Sequence, residues 1–277
     1  MDPLMKKELQ ACVAILSVHI MKTLLNDLAK YPLCDFFLRR CVESMSQRQI
    51  NDDLAEEPDL SLLLHFDKPG TMGRLEEFFA KTMVTFGLSK EELKAKADFN
   101  FGVYDMKGFE SVRGVFRLAN ALSENGFTQF VFLKGKGLAD LKAVKNAQEW
   151  LIEVKTLVLQ TKPHQFKTNG PIEVLPVDKF QPKNNRIEDY VEKVSMQIAG
   201  NLVEKARQQL IDTVKKEGEA KKMIALVVNL FAADLFLDAE NIHAVYARLR
   251  GQFPKWEKNY LADVDGVAFL TSQLYLF

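Results

Sequence analysis

The clearest structural signal in the sequence is "GLADLKAVKNAQEWLIEVKTLVL", residues 137–159. Apolar and polar residues alternate on both sides of Asn146 and Ala147, which is the pattern of two half-buried β-strands joined by a two-residue turn. With the turn at these two residues, Lys145 pairs with Gln148. A shift of one residue would mix polar side chains into the apolar face, so burial selects this register. The sequence therefore predicts a β-hairpin with one wholly apolar face.

Three ionisable side chains lie on the other face of the predicted hairpin. The register places Asp140 opposite Glu153, and strand alternation brings Lys155 to the same face. Directly opposed side chains have Cβ atoms roughly 4.5 to 5.5 Å apart. Two carboxylates at that separation repel each other unless a cation or a proton joins them, and carboxylate oxygens suit Mg²⁺ or Mn²⁺. We therefore expect Asp140 and Glu153 to bind one of these ions, with Lys155 orienting an attacking water.

The segments around the hairpin alternate between helical and strand patterns. The predicted elements are a helix within 108–127, a strand within 127–137, a proline-containing loop over 160–185, a long amphipathic helix over 186–218, a buried strand over 221–231, a helix over 238–251 and one or two strands over 266–277. This order predicts a mixed α/β domain built around a central sheet.

The amino-terminal part of the chain has a different pattern. Residues 1–100 contain long helical runs, whereas the α/β pattern occupies residues 101–277. We therefore predict a helical domain followed by an α/β domain. The apolar run 11–21 is shorter than the roughly 20 residues that a membrane-spanning helix needs, so we expect a buried helix there, with no signal peptide and no membrane partner. The helical domain is expected to supply substrate recognition or a homodimer contact.

Charge and cysteine content set limits on the partner and the compartment. The 37 basic and 37 acidic residues cancel, so a nucleic-acid contact has to come from a local patch. Lysines outnumber acidic residues around the hairpin. The cysteines, which lack the paired spacing of a zinc site, are expected to be reduced thiols of a cytoplasmic protein. The predicted phosphate-contacting lysines and the three cysteines are Lys134, Lys136, Lys142, Lys162, Cys12, Cys34 and Cys41.

The motif Asp, twelve residues, then Glu-x-Lys, carried by "ADLKAVKNAQEWLIEVKT" at 139–156, resembles the PD-(D/E)XK nuclease superfamily. The similarity is greatest to the catalytic domains of restriction endonucleases and covers about 105–277. It departs from the family pattern at Ala139, where the family name has proline. The resemblance implies a restriction-endonuclease-like fold, in which helices flank a mixed central sheet. It also implies an Mg²⁺- or Mn²⁺-dependent endonuclease that hydrolyses nucleic-acid phosphodiesters, with DNA as the expected substrate.

The same resemblance assigns roles to individual residues. It implies that Asp140 and Glu153 are the metal ligands and that Lys155 is the catalytic lysine. Glu110 would be an accessory carboxylate on the helix before the hairpin. Gln197 would match a glutamine that is often found on the helix after it.

Each assignment has a structural alternative. Asp140, Glu153 and Lys155 could form a solvated strand face with a cross-strand salt bridge, which contributes little stability. Glu110 could be an ordinary glutamate in the first turn of a helix, and Gln197 an ordinary polar helix residue. At the level of function, the alternative is a nuclease-like fold without cleavage activity that binds protein or nucleic acid.

Overall fold

The computed structural model divides the chain into two compact units, residues 1–112 and 113–277. The domain boundary expected near residue 100 stays a prediction. The residues that the structure describes are 22–51, 70–98, 106–133, 135, 137–158, 167–168, 170–171, 203–229, 263–270 and 274–276.

The first unit is helical over the residues described in it, apart from short turns. Its helices are α1 (Pro32–Asn51), α2 (Thr71–Phe86) and α3 (Lys90–Lys96), preceded by a helical segment at 22–28 and followed by the first part of α4 (Met106–Ser123). Phe37 of α1 stacks on Phe79 of α2 with ring centroids 4.5 Å apart. Both rings are almost fully buried, so this aromatic contact lies in the core of the helical unit.

A carboxylate from α2 caps the start of α1. The backbone N–H of Leu33 donates to both carboxylate oxygens of Glu76 at 3.0 Å, and the N–H of Cys34 donates to Oε2 at 2.8 Å. The first N–H groups of a helix have no partner within the helix, and a negative charge there is favoured by the helix dipole. Glu76 therefore satisfies two of these groups and ties α2 to α1.

The second unit contains a mixed sheet. Its described strands are β1 (Thr128–Phe132), β2 (Leu141–Lys145), β3 (Gln148–Val158), β6 (Lys221–Asn229), β7 (Gly266–Leu270) and β8 (Leu274–Leu276), in the spatial order β1-β2-β3-β6-β7-β8. A separate small ladder joins β4 (Lys167–Thr168) to β5 (Gly170–Pro171). Neighbouring strands in the large sheet are antiparallel except at β3 with β6 and at β6 with β7, which are parallel. The prediction of a mixed α/β domain around a central sheet is confirmed.

Helices cover both faces of β3. On one face, α4 approaches so closely at Gly114 that an added Cβ atom would lie 2.1 Å from Oγ1 of Thr156. On the other face, α5 (Glu204–Glu217) reaches Lys155 through Gln209. Successive residues of a strand point to opposite faces, so residues 153 and 155 share the α5 face. The fold thereby places the ionisable face of the hairpin under α5.

Several predicted elements lie within the described residues and are confirmed. The expected helix before the hairpin is α4, and the expected strands are β1, β6, β7 and β8. The predicted long helix is present as α5 over its carboxyl-terminal part, while residues 186–202 and the helix predicted at 238–251 lie outside the described residues. None of the helices described is long and apolar enough to cross a membrane.

Candidate active site

The hairpin turn sets the register of the site. Asn146 and Ala147 adopt positive φ angles of 51° and 58°, and a two-residue turn of this kind matches the twist of the flanking strands. Lys145 pairs with Gln148 as predicted, and the ladder continues until Leu141 pairs with Ile152. Burial of the apolar face was enough to select this register, because Leu141, Ala143 and Ile152 are fully buried.

Asp140 lies one residue before β2 begins and is held from two sides. Its backbone carbonyl accepts a hydrogen bond from the N–H of Leu133 at 3.1 Å. Its Oδ2 accepts one from the N–H of Val154 at 2.8 Å. The Asp140 carboxylate therefore takes the place of a backbone acceptor just beyond the end of the β2–β3 ladder. Burial raises the pKa of Asp140, while the hydrogen bond from Val154 and the charge of Lys155 oppose this increase.

Glu153 carries its carboxylate into the interior of the α/β unit. Only 1% of the residue is exposed, so the expected alternative of a solvated face does not describe it. Its Oε1 accepts a hydrogen bond from Lys155, whereas Oε2 is buried without a hydrogen-bond partner among the described residues. Burial first, and then the nearby charge of Asp140, raise the pKa of Glu153 to about 8 against the opposing effects of Lys155 and of the Asp140 backbone N–H.

Lys155 is anchored between the strand and the helix. Its Nζ donates to Oε1 of Glu153 and, at 2.7 Å, to Oε1 of Gln209 on α5. Nε2 of Gln209 in turn donates to the carbonyl of Leu138 at 3.4 Å. An ammonium group has three N–H donors, so one N–H remains beyond these two bonds to described residues. The lysine is thus held in place by two contacts, with a third donor that makes no hydrogen bond to a described residue.

Within the described residues, none of the other predicted site residues is seen at this site. Lys142 lies on β2, where its Nζ pairs with Oε1 of Glu149 at 3.2 Å. Glu110 lies in α4, although its side chain is outside the described part of the chain. Four further predicted residues lie entirely outside the described residues, namely Gln197, Lys134, Lys136 and Lys162. The roles expected for all of these stay predictions.

Gln209 is a site residue that the sequence analysis missed. The glutamine expected on the helix after the hairpin was Gln197, twelve positions earlier. A signal was present, because Gln209 lies three residues after Ala206 and four before Thr213, and both of these are fully buried on α5. Helix residues three or four apart share a face, so a polar side chain between these two buried positions is directed toward the sheet.

Asp140 and Glu153 fit a divalent cation on the chemistry of their oxygens. The buried, unpartnered Oε2 of Glu153 is the kind of atom that a cation would satisfy. Mg²⁺ is commonly held by one or two carboxylates together with waters. Within the described residues, no group of three or more His, Cys, Asp and Glu side chains that could hold a metal is present. As far as the described residues go, a cation bound here would be held by these two carboxylates together with water or substrate oxygens.

Comparison of the chain with protein-family models, with curated proteins and with solved structures gives no match.

Proposed function

We propose that the protein is a nuclease that hydrolyses nucleic-acid phosphodiesters with the help of Mg²⁺ or Mn²⁺, and that DNA is its substrate. Asp140 and Glu153 hold the ion, and Lys155 is the catalytic lysine. The α/β unit would then have a restriction-endonuclease-like fold. The order of a helix, a hairpin with the Asp and Glu-x-Lys residues, a second helix and a parallel strand supports this proposal.

One observation carries the proposal. Glu153 is 1% exposed and has a carboxylate oxygen without a partner among the described residues, while Asp140 is close enough to raise its pKa. A buried polar atom without a hydrogen bond destabilises a folded protein by about 1 to 3 kcal/mol. Two carboxyl groups kept together at such a cost support the proposal that a cation satisfies them.

The chemistry follows from the side chains that meet at this point. In hydrolysis, a water oxygen bonds to phosphorus, the bond from phosphorus to the leaving sugar oxygen breaks, and a proton passes from the water while the leaving oxygen gains one. A bound divalent cation supplies positive charge that lowers the pKa of the water and polarises the phosphate. Asp140 and Glu153 keep that charge at a fixed point on the sheet.

Lys155 acts on the reacting atoms through its remaining N–H. The bonds to Glu153 and Gln209 fix the ammonium group before substrate arrives. A donor that is already oriented stabilises charge developing on the phosphate without reorganisation during the reaction. Lys155 can therefore orient the attacking water or donate to a phosphate oxygen.

A second function is favoured by one specific contact. Lys155 and Glu153 form an ion pair in which the two side chains are 18% and 2% exposed, respectively. Such a buried pair can be purely structural. If it is, the unit serves as a non-catalytic module that binds protein or nucleic acid. Removing one partner of a buried pair would then cost stability without affecting any reaction.

The test combines metal binding with cleavage. The full chain is titrated with Mn²⁺ while its melting temperature is followed, and it is then incubated with duplex DNA, single-stranded DNA and RNA in Mg²⁺ or Mn²⁺. At a cation concentration of about 100 times Kd, we expect a stabilisation of about 2.7 kcal/mol. We also expect cleavage that stops when EDTA is added.

Asp140→Ala and Glu149→Gln serve as matched variants for this test. Glu149 lies on the same hairpin, with 52% of its side chain exposed, so its change should leave the metal-dependent stabilisation intact. Asp140→Ala should abolish both the stabilisation and the cleavage. Equal stabilisation of the Asp140→Ala variant and the unaltered protein, with no cleavage of any substrate, would support the binding module instead.

A further inference from the structure

Helix α5 makes a second contact with the site segment that is independent of Gln209. Oγ1 of Thr213 accepts a hydrogen bond from the backbone N–H of Ala139 at 2.7 Å and donates one to the carbonyl of Gln209 at 2.7 Å. Thr213 and Ala139 are both buried, at 0% and 1% exposure. The Thr213 hydroxyl therefore accepts one hydrogen bond from the segment before β2 and donates one within α5, and these two bonds fix its orientation.

The residue next to Ala139 is Asp140, which lies outside the regular ladder of β2. Its own contacts are the bond from Val154 to its side chain and the bond from Leu133 to its carbonyl. The N–H of Ala139 belongs to the peptide unit that precedes this residue, so its bond to Thr213 holds the chain just before the two backbone torsions of Ala139. The bond from Leu133 to the Asp140 carbonyl holds the chain just after the backbone torsions of Asp140. With both sides held, the torsions in between have little freedom, and the Thr213 hydroxyl thereby limits the directions available to the Asp140 carboxylate.

We propose that Thr213 is a positioning residue that sets the orientation of the Asp140 carboxylate toward the cation through the N–H of Ala139. The role of the cation in this inference rests on the proposed function. The effect of Thr213 on the orientation of Asp140 does not, because it can be measured in the protein without metal. Residues that orient a metal ligand from outside typically contribute 10- to 100-fold to metal affinity. Thr213 acts on metal binding in this way without touching the ion.

The proposal is tested with Thr213→Val and Thr213→Ser in the full chain. Valine has a similar shape but no hydroxyl, so Mn²⁺ affinity measured by calorimetry should fall about 10-fold. Serine keeps the hydroxyl and should retain most of that affinity. In single-turnover cleavage, saturating Mn²⁺ should restore much of the rate of Thr213→Val, because the defect is in binding the ion. Equal loss of affinity in the valine and serine variants would overturn the proposal, because the hydroxyl would then not matter.

A matched control exists in the helical unit. Thr82 is also fully buried, and its Oγ1 donates to the carbonyl of Phe78, four residues earlier, at 2.7 Å. Like Thr213→Val, Thr82→Val removes the hydroxyl group of a fully buried helical threonine. It should leave Mn²⁺ affinity unchanged. A 10-fold loss of affinity in Thr82→Val as well would attribute the effect to general destabilisation and would overturn the proposal.

Amide hydrogen exchange without metal separates this inference from the proposed function. In Thr213→Val the Ala139 amide should exchange faster, because it loses its acceptor. The Val154 amide should also exchange faster, because its acceptor is the Asp140 carboxylate that the threonine holds. Faster exchange at Val154 supports the positioning role even if the unaltered protein binds no metal, in which case only the proposed function fails. Faster exchange at Ala139 alone would overturn the positioning role while leaving the proposed function intact.

Discussion

Two glutamates, one in each unit, show opposite ways of dealing with a carboxylate. Glu76 of the helical unit accepts hydrogen bonds from the N–H groups of Leu33 and Cys34, so both of its oxygens are satisfied by protein. Glu153 of the α/β unit has one oxygen bonded to Lys155 and the other without a partner among the described residues. The first carboxylate completes the fold, whereas the second is left incomplete by it.

The difference is what the proposed function predicts for a metal ligand and for a helix cap. Stability alone would favour a protonated or neutral side chain at position 153, because burial penalises its charge. Glu76, in contrast, is directed at the positive end of a helix and accepts hydrogen bonds from its N–H groups. Changes at the two positions should therefore have separate consequences, with activity lost at one and stability lost at the other.

The largest effect should come from removing a ligand. Glu153→Gln keeps the shape of the side chain but loses its negative charge, and Asp140→Ala removes a carboxylate altogether. Each change should abolish Mn²⁺ binding in calorimetry and lower single-turnover cleavage by more than about 1,000-fold, because the whole effect of the ion is lost. Glu76→Gln should leave both measurements unchanged. Full cleavage by Glu153→Gln would remove the contrast between the two glutamates.

The next largest effect should come from Lys155, which separates metal binding from catalysis. Lys155→Ala should retain Mn²⁺ binding, since an ammonium group cannot be a ligand, while losing about 100- to 1,000-fold in cleavage rate. Lys155→Arg should restore little, because a planar guanidinium cannot place a compact donor at the same point. Calorimetry and single-turnover kinetics are compared with Lys145→Ala, a lysine near the hairpin turn. Normal rates in Lys155→Ala would assign the lysine a structural role only.

A smaller effect should appear in the pH dependence of stability without metal. The pKa of Glu153 is about 8 in the folded protein against 4.5 for the ordinary side chain. Between these values the folded state holds the extra proton, so the free energy of unfolding should fall as pH rises from about 4.5 to about 8. With one pKa unit equal to about 1.4 kcal/mol, the loss is on the order of a few kcal/mol.

Urea unfolding in EDTA measures this pH effect, and two conditions sharpen it. Glu153→Gln should flatten most of the curve over this window, leaving only the contribution of other groups such as Asp140, whose pKa burial also raises. Saturating Mn²⁺ should reverse the slope, because the ion binds the ionised carboxylates and its affinity increases with pH. A curve for the unaltered protein that is parallel to that of Glu153→Gln would contradict the unfavourable burial of Glu153.

The smallest effect should come from the helical unit. Glu76→Ala removes the cap of α1 and should lower the free energy of unfolding by about 1 to 2 kcal/mol, measured by urea unfolding. The exposed neighbour Glu77 provides the control, and Glu77→Ala should change stability much less. Metal-dependent cleavage by Glu76→Ala should remain normal at a temperature where the protein is folded. A loss of cleavage without a loss of stability would show that the two glutamates are not separate.

The sequence predicted the hairpin and its register because these depend on local information. The turn residues Asn146 and Ala147, together with the alternation of apolar side chains, leave one pairing that buries a complete face. The predicted pairing of Asp140 with Glu153 lies one residue beyond the end of the observed ladder. Asp140 contacts β3 through the bond from Val154 to its side chain, and its charge acts on Glu153. The local alternation of apolar residues was sufficient to predict the register, because the two strands are adjacent along the chain.

The partners supplied by α5 could not be predicted in the same way. Gln209 and Thr213 reach the hairpin across more than 50 residues, and their contacts depend on how the helix is rotated over the sheet. Periodicity gives the buried face of a helix but not its offset along a strand. Gln197, the residue that the family resemblance implies, lies outside the described residues, and its role stays a prediction. Among the described residues the contact is made by Gln209.

The sequence distances of the site contacts also bear on how the protein folds. The bond from Val154 to Asp140 spans 14 residues, the bond from Lys155 to Gln209 spans 54, and the bond from Ala139 to Thr213 spans 74. Closing a longer loop costs more conformational entropy, and nonlocal parallel pairing is slow. We therefore expect the hairpin to form early. The Lys155 ammonium group and the segment around Asp140 would become fixed later, when β6 pairs with β3 and α5 packs against the hairpin. Competence for metal binding would then mark a late step of folding.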